Sequence, residues 1–283
     1  MVTIDIKGAF LKANVPEDLE LIIRMEGELA ELFAELNPDL KLDENGILYL
    51  KCLKALYGHI EAARLFYDKL DNSLTMKMNF QRNKYDPCVY NKETENGWIT
   101  VRTHVDDLKI SCKDMQEIFL VIEQLQKIYD EITVHKGDEH DYLGMVMTHN
   151  RENNSVKINM EKYIEGILDM FQMDEPDEPL KIVVTPATNN LFKTRKETGE
   201  MKLSKIRTGT FHATVAKLLF VAKRARPDIL LAISFLTTRV KEPDSDDWKK
   251  LIRVLGYLRG TMKLCLTIVC DNINKLTWYI DGS

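Results

Sequence analysis

The stretch "WITVRTHVDDLKISC" (Trp98 to Cys112) limits this chain more than any other. Ile99, Val101, Thr103 and Val105 alternate with more polar residues, and Leu108, Ile110 and Cys112 repeat the pattern beyond two adjacent acids. Period-2 alternation on both sides predicts two half-buried strands joined by a two-residue turn. Tight hairpins favour Asn-Gly or Asp-Gly, because their central positions need positive φ. Here Asp106 and Asp107 stand where a glycine would be less costly. Two neighbouring carboxylates repel, and burial would drive one of them to keep its proton. A divalent cation supplies the missing opposite charge.

Mg²⁺ takes oxygen ligands and keeps places for water or phosphate oxygens, so one or two protein carboxylates suffice to hold it. Successive strand side chains point to opposite faces. Asp106 and Asp107 can therefore act together only at a turn, and unequally. A third acid from another strand would complete the set. Asp5 ends the apolar run "VTIDI" and is followed by Gly8, which makes it the candidate. Each piece alone also has a plain reading: a solvated loop tip for the acid pair, a helix cap for Asp5.

At 283 residues and 45% hydrophobic, the chain can bury a sizeable core in one or two domains. A net charge of −5 gives no overall basic signal for nucleic acid, so local basic faces carry that question. Cys52, Cys88, Cys112, Cys265 and Cys270 form no C-x-x-C pair. Scattered and odd in number, they read as reduced, buried thiols of an intracellular protein. The start "MVTIDIKGAFLKA" has no apolar signal core, and charges interrupt "KLLFVAKRARPDILLAISFL", so no membrane partner is expected. His135 and His140 flank Asp138 and Glu139 without zinc-ligand spacing.

Along the chain, "VTIDI" is a strand, and "ELAELFAELNPDL" is a helix ended by Asn37-Pro38. The run from Asn45 begins as a strand and becomes a long helix with Ala62, Leu65, Phe66, Leu70 and Leu74 at helical spacing. A hairpin feeds the acidic turn, the helix "MQEIFLVIEQLQKIY" follows, then a second hairpin and the helix "YIEGILDMF". Strands alternating with helices in this order suggest an antiparallel sheet backed by helices. A Pro- and charge-rich linker leads to three further helical stretches, and "LCLTIVC" and "KLTWYID" read as strands.

"DIKGAFLKA", "LKALYGHIEAARLFYDKL", "DPCVY", "HVDDLKIS" and "DYLGMVM" together resemble, in order and spacing, the reverse transcriptase of copia-type LTR retrotransposons. "TPATNNLF", "AKRARPDILLAISFLTTRV" and "DWKKLIRVLGYLRGT" resemble the segment downstream of it, so the likeness spans essentially the whole chain. It implies an α+β fold: a reverse-transcriptase palm over residues 1–172, a linker over 173–205, a helical thumb or connection region over 206–264, and the truncated start of a ribonuclease H-like domain over 265–283. The implied activity is RNA-directed DNA polymerase, by two-metal nucleotidyl transfer with two Mg²⁺ ions, or Mn²⁺ in their place.

Carried over by position, the resemblance makes Asp5 and Asp106 the principal metal ligands and Asp107 the lesser one. Phe10 would lie beneath the incoming sugar and reject a 2′-hydroxyl by bulk, while Lys7, Gly8 and Ala9 would offer backbone N–H groups to the triphosphate. Tyr57 and Gly58 would border the nucleotide, and His104, Arg64, Lys249 and Arg253 would meet primer-template. The implied partners are RNA/DNA primer-template, dNTP and the rest of the Pol polyprotein, in the cytoplasm (virus-like particle) or nucleus.

The chain departs from the family pattern at several positions. His104 replaces the tyrosine of Tyr-Val-Asp-Asp, and Ile60, Glu61 and Ala63 replace a lysine, a glutamine and a proline. Glu61 near a triphosphate would weaken binding by repulsion. The basic fingers segment expected before "DIKGAF" is missing, and "WYIDGS" matches only a first ribonuclease H strand, with Asp281 its first acid. The expectation is a polymerase fragment weak or inactive as an isolated chain; the alternative is a non-catalytic remnant that at most binds nucleic acid through its basic helices.

Overall fold

In the computed structural model, which describes residues 1–270, the first sheet is organised around one apolar strand, β1 (Val2–Ile6). Two units are distinguished: Met1–Gly137, and the chain from Asp138 onward. This division falls inside the 1–172 span read from sequence, so residues 138–172 belong with the later helices.

In the first unit β1 leads through Gly8 into the single turn α1 (Ala9–Lys12). A two-stranded ribbon pairs β2 (Ile22–Met25) with β3 (Leu48–Lys51), and α2 (Glu28–Leu36) lies between them in sequence. Then come α3 (Ala62–Asn72), a π turn over Ser73–Lys77, β4 (Gln81–Arg82), β5 (Val89–Thr94), β6 (Gly97–His104), β7 (Asp107–Ser111), α4 (Met115–Tyr129) and β8 (Ile132–His135). The main sheet is antiparallel, in the order β4-β5-β6-β7-β1-β8. The run from Asn45 is, as expected, first a strand at Leu48–Lys51 and then a helix, which begins at Ala62 and passes into the π turn after Asn72. Strand β2 escaped the sequence reading.

One face of the main sheet builds the core. Ile4, Ile6, Val101, Leu108 and Ile110 meet Leu65, Phe66, Leu70 and Leu74 of the α3 region and Ile118, Val121, Leu125 and Tyr129 of α4. Each such buried side chain stabilises by about 1.5–3 kcal/mol relative to exposure. The 3–4 spacing in α3 and α4 puts these residues on one stripe. Asp114 starts α4 by accepting the Gln116 N–H.

The second unit holds an antiparallel sheet of β9 (Glu139–Tyr142), β10 (Met145–Asn150), β11 (Ser155–Asn159) and β12 (Leu266–Val269), in the order β12-β11-β10-β9. The run "LCLTIVC", read as opening a separate domain, is thus an edge strand on β11. "KLTWYID" and Asp281 lie outside the described residues. Helices α5 (Glu161–Asp174), α6 (Arg195–Thr198), α7 (Lys205–Ala222), α8 (Leu230–Thr237) and α9 (Ser245–Gly260) complete the unit. Phe171, Phe211, Leu218, Ile233, Trp248, Leu251 and Leu255 form its core.

The segment read as a linker is a strap packed on this core, not a free connection. Leu180 and Leu191 are buried. Where the strap crosses α9, a methyl on Gly256 would lie 2.1 Å from the Lys181 carbonyl oxygen, and one on Gly260 would lie 2.7 Å from Cγ2 of Ile182. The expected buried thiols are also corrected: Cys52, Cys88, Cys112 and Cys265 are half-buried and Cys270 is exposed.

Gly256→Ala is expected to lower stability by about 1–3 kcal/mol through overpacking. Gly166→Ala, in α5 with open space around its Cβ, should raise it by about 0.5–1 kcal/mol. Urea unfolding midpoints of the two variants check the pair. Equal shifts would show that the strap does not lie against α9.

Candidate active site

His104 of β6 pairs with Asp107 of β7, so the two turn residues are Val105 and Asp106. The turn lies one residue earlier than the alternation suggested, and Asp107 is a strand residue. Val105 adopts φ 55. A β-branched side chain in the left-handed region is a true outlier, costing on the order of 1–3 kcal/mol. The surrounding ladder enforces it: the Ile6 N–H donates to the Asp106 carbonyl oxygen at 3.1 Å.

The same ladder gathers the acids. Strand β1 runs antiparallel to β7, with Asp5 directly opposite Asp107, and to β8, with Asp5 opposite Thr133. Residues opposite in register share a face. His104, Asp107, Asp5 and Thr133 therefore form one row across four strands, on the face away from Ile4, Ile6, Leu108 and Ile110. Burial pushes the Asp107 carboxyl above its ordinary range, and the charges of Asp106 and then Asp5 push it further, while His104 opposes them. Sequence reading ranked Asp107 as the lesser acid; the register makes it the one facing Asp5. Among the described residues no three or more His, Cys, Asp or Glu side chains converge as a metal cage. The acids form an opposed pair with a third in the adjoining turn.

A second row, two residues back on the same face, went unread in the sequence. Arg102, Lys109, Thr3 and His135 are in register across β6, β7, β1 and β8. Burial lowers the Lys109 pKa, and the Arg102 charge lowers it further. The available signal was the period of two on either side of the acids.

Beside β1, Gly8 takes φ 61 and turns the chain into α1. The Lys7 N–H is engaged by the Glu131 carbonyl at 3.3 Å, so it is not open to a ligand as the sequence reading had it. Phe10 and Tyr57 are brought together, with ring centroids 4.4 Å apart, and Phe10 continues through Phe66 to Tyr129. Tyr57 is half exposed. Gly58, at φ 91, reverses the chain after it.

The remaining basic residues read from sequence are occupied within the protein. Arg64 pairs with Glu61 at 3.3 Å and Asp68 at 3.8 Å. Lys249 pairs with Glu200 at 2.9 Å, and Arg253 donates to the Thr185 hydroxyl at 2.8 Å. The basic side chains of α9 thus hold the strap.

Residues 1–185 match the reverse transcriptase (RNA-dependent DNA polymerase) family. The chain belongs to that family. It is 29% identical over 93% of its length to the retrovirus-related Pol polyprotein from transposon TNT 1-94 of Nicotiana tabacum, of which it spans 18%. It is 26% identical over 99% of its length to a putative transposon Ty5-1 protein of Saccharomyces cerevisiae, covering 82% of that protein. It is 23% identical, again over 99%, to the Pol polyprotein from transposon RE1 of Arabidopsis thaliana, spanning 17% of it. The copia-type affiliation drawn from the motifs is borne out by these relatives. Among the described residues no helix is long and apolar enough to cross a membrane.

Asparagine tolerates positive φ better than valine. Val105→Asn is therefore expected to raise stability by about 0.5–1 kcal/mol, read as a higher melting temperature; a lower one would contradict the strain. Because the Asp107 pKa is raised on folding, its charge opposes the fold only above its ordinary value of 3.8. Asp107→Asn should match the parent's stability well below pH 3.8, exceed it increasingly between 3.8 and the raised value, and keep a constant margin above that. A pH series of melting curves checks this.

Proposed function

We propose that this chain carries the catalytic palm of an RNA-directed DNA polymerase, acting within a copia-type Pol polyprotein on RNA/DNA primer-template and dNTP. The reading rests on one observation above others: Asp5 and Asp107 oppose each other in register, with Asp106 in the adjoining turn. The donor set is all carboxylate oxygen, which suits hard cations such as Mg²⁺ or Mn²⁺. Burial first, then the charges of Asp106 and Asp5, raise the Asp107 pKa, and a cation would relieve the like-charge part of that cost. Asp5, Asp106 and Asp107 would hold two Mg²⁺ ions, which supply charge neutralisation at the attacking and leaving oxygens.

The chain's own residues then position the reactants. The Phe10 ring, tilted against Tyr57 and met edge-on by Phe66, would be the floor for the deoxyribose and would exclude a 2′-hydroxyl by bulk. The turns at Gly8–Ala9 and Gly58 border the triphosphate. His104, in line with Asp107 and Asp5, would stack on the primer end. Arg64, Lys249 and Arg253, read from sequence as primer-template contacts, would reach a strand only by exchanging their present partners. Helices α7–α9 serve as thumb or connection region, and Asp281 opens the ribonuclease H-like part. The cellular setting would be a cytoplasmic particle or the nucleus.

A second reading, a non-catalytic remnant that binds nucleic acid, draws on the lack of a three-ligand cage among the described residues. Primer extension on poly(rA)/oligo(dT) separates the two. The parent should incorporate dTTP slowly but measurably with Mg²⁺, and Asp106→Asn should lose roughly a hundredfold or more, as displaced reacting groups do. Equal incorporation by both proteins overturns the assignment. Independently, Mg²⁺ at ten times its Kd should stabilise the parent by about 1.4 kcal/mol, with little effect on Asp5→Asn. Melting curves in Mg²⁺ and in chelator provide that check even if turnover is slow.

A further inference from the structure

Away from the carboxylate row, the first unit gathers lysines around a cavity of about 410 Å³ beside α3 and the π turn. Asn14, Lys69, Asn72, Ser73 and Lys77 line it. Lys54 reaches the same place by donating to the Asn14 side-chain oxygen at 2.6 Å, while Asn14 and Lys54 also form a backbone bridge. The Lys69 ammonium donates to the Lys12 carbonyl oxygen at 2.5 Å, which fixes its position.

The charges at this cavity do not balance. Of the nearby carboxylates, Asp130 pairs with Lys12 at 3.5 Å, and Asp68, on the cavity wall, is shared with Arg64. Among the described residues, Lys54, Lys69 and Lys77 form no ion pair with a carboxylate. The Lys69 pKa is lowered by burial first, then by the charges of Lys54, Lys77 and Lys12. Lys69 is held by the Lys12 carbonyl and faces the Tyr129 ring at 5.7 Å, but crowding further cations beside it works against the fold. Lysine point charges with amide and hydroxyl neighbours match a phosphate group, and the volume lies within the range of small-ligand pockets.

We propose that this cavity is an anion site that takes a phosphate group, held chiefly by Lys54, Lys69 and Lys77. The same chemistry could come from the phosphodiester of a nucleic-acid strand or from a free polyphosphate compound. The site shares no residue with the carboxylate row, so it stands or falls separately from the polymerase reading.

The test uses the full chain in chelator, which keeps divalent cations out of the measurement. A single-stranded oligo(dT) and inorganic tripolyphosphate are titrated against the parent, the Lys54→Gln/Lys77→Gln variant and the charge-keeping Lys54→Arg/Lys77→Arg variant. Lys69 is left in place because it supports the fold. The glutamine variant should bind at least one ligand about tenfold more weakly, with the arginine variant close to the parent. Loss for the oligonucleotide alone assigns the cavity to strand phosphates, and its salt slope should fall by about 0.7 for each contact removed. Loss for tripolyphosphate assigns it to free phosphate compounds. Unchanged affinity for both ligands, or no binding of either by the parent at low salt, overturns the proposal.

Discussion

The pairing of β1 with β7 is the constraint on which the first unit depends. It places Ile4 opposite Leu108 on the face that packs against α3 and α4, and it places Asp5 opposite Asp107 on the other. Apolar burial on one face stabilises the register, while electrostatic repulsion on the other opposes it. The core decides the contest: a slip by one residue would bury the acids and expose the isoleucines. The carboxylates are thus held together by hydrophobic packing they take no part in.

The strained turn follows from the same register. With His104 and Asp107 fixed as the last pair, two residues must close the hairpin, and Val105 is left at positive φ. The Ile6 N–H holds the Asp106 carbonyl, so the turn cannot relax without breaking a bond to β1. Strain, like-charge repulsion and burial coincide within a few residues, as they do where structure is maintained for chemistry rather than stability.

Much of this was legible in the sequence, and the failures have physical reasons. The strands around Val101 and Ile110 and the helix Met115–Tyr129 follow from periodicity alone, because each buries one face. The turn was misplaced by one residue because local rules put valine in a strand and acids in a turn; only the long-range ladder overrides them. Which strand lies beside β7 cannot be read from alternation, since any apolar strand satisfies the pattern, so the partnership of Asp5 with Asp107 needed the fold. The basic row of Arg102 and Lys109 was hidden in polar positions that looked merely solvated. The strap over α9 was missed because Pro-rich composition is the same whether a segment is free or packed. Its signal was the pair Gly256 and Gly260, one turn apart, which admits another backbone.

Asp5, Asp106 and Asp107, on two neighbouring strands and their turn, are proposed to bind divalent cations together. Paramagnetic broadening of backbone amide signals by Mn²⁺ tests it most directly. Substoichiometric Mn²⁺ should broaden the Asp5 and Ile6 signals together with those of Val105 to Leu108, and Asp107→Asn should abolish the effect in both groups at once. Broadening confined to one strand, or spread over exposed carboxylates elsewhere with these signals sharp, would contradict the account.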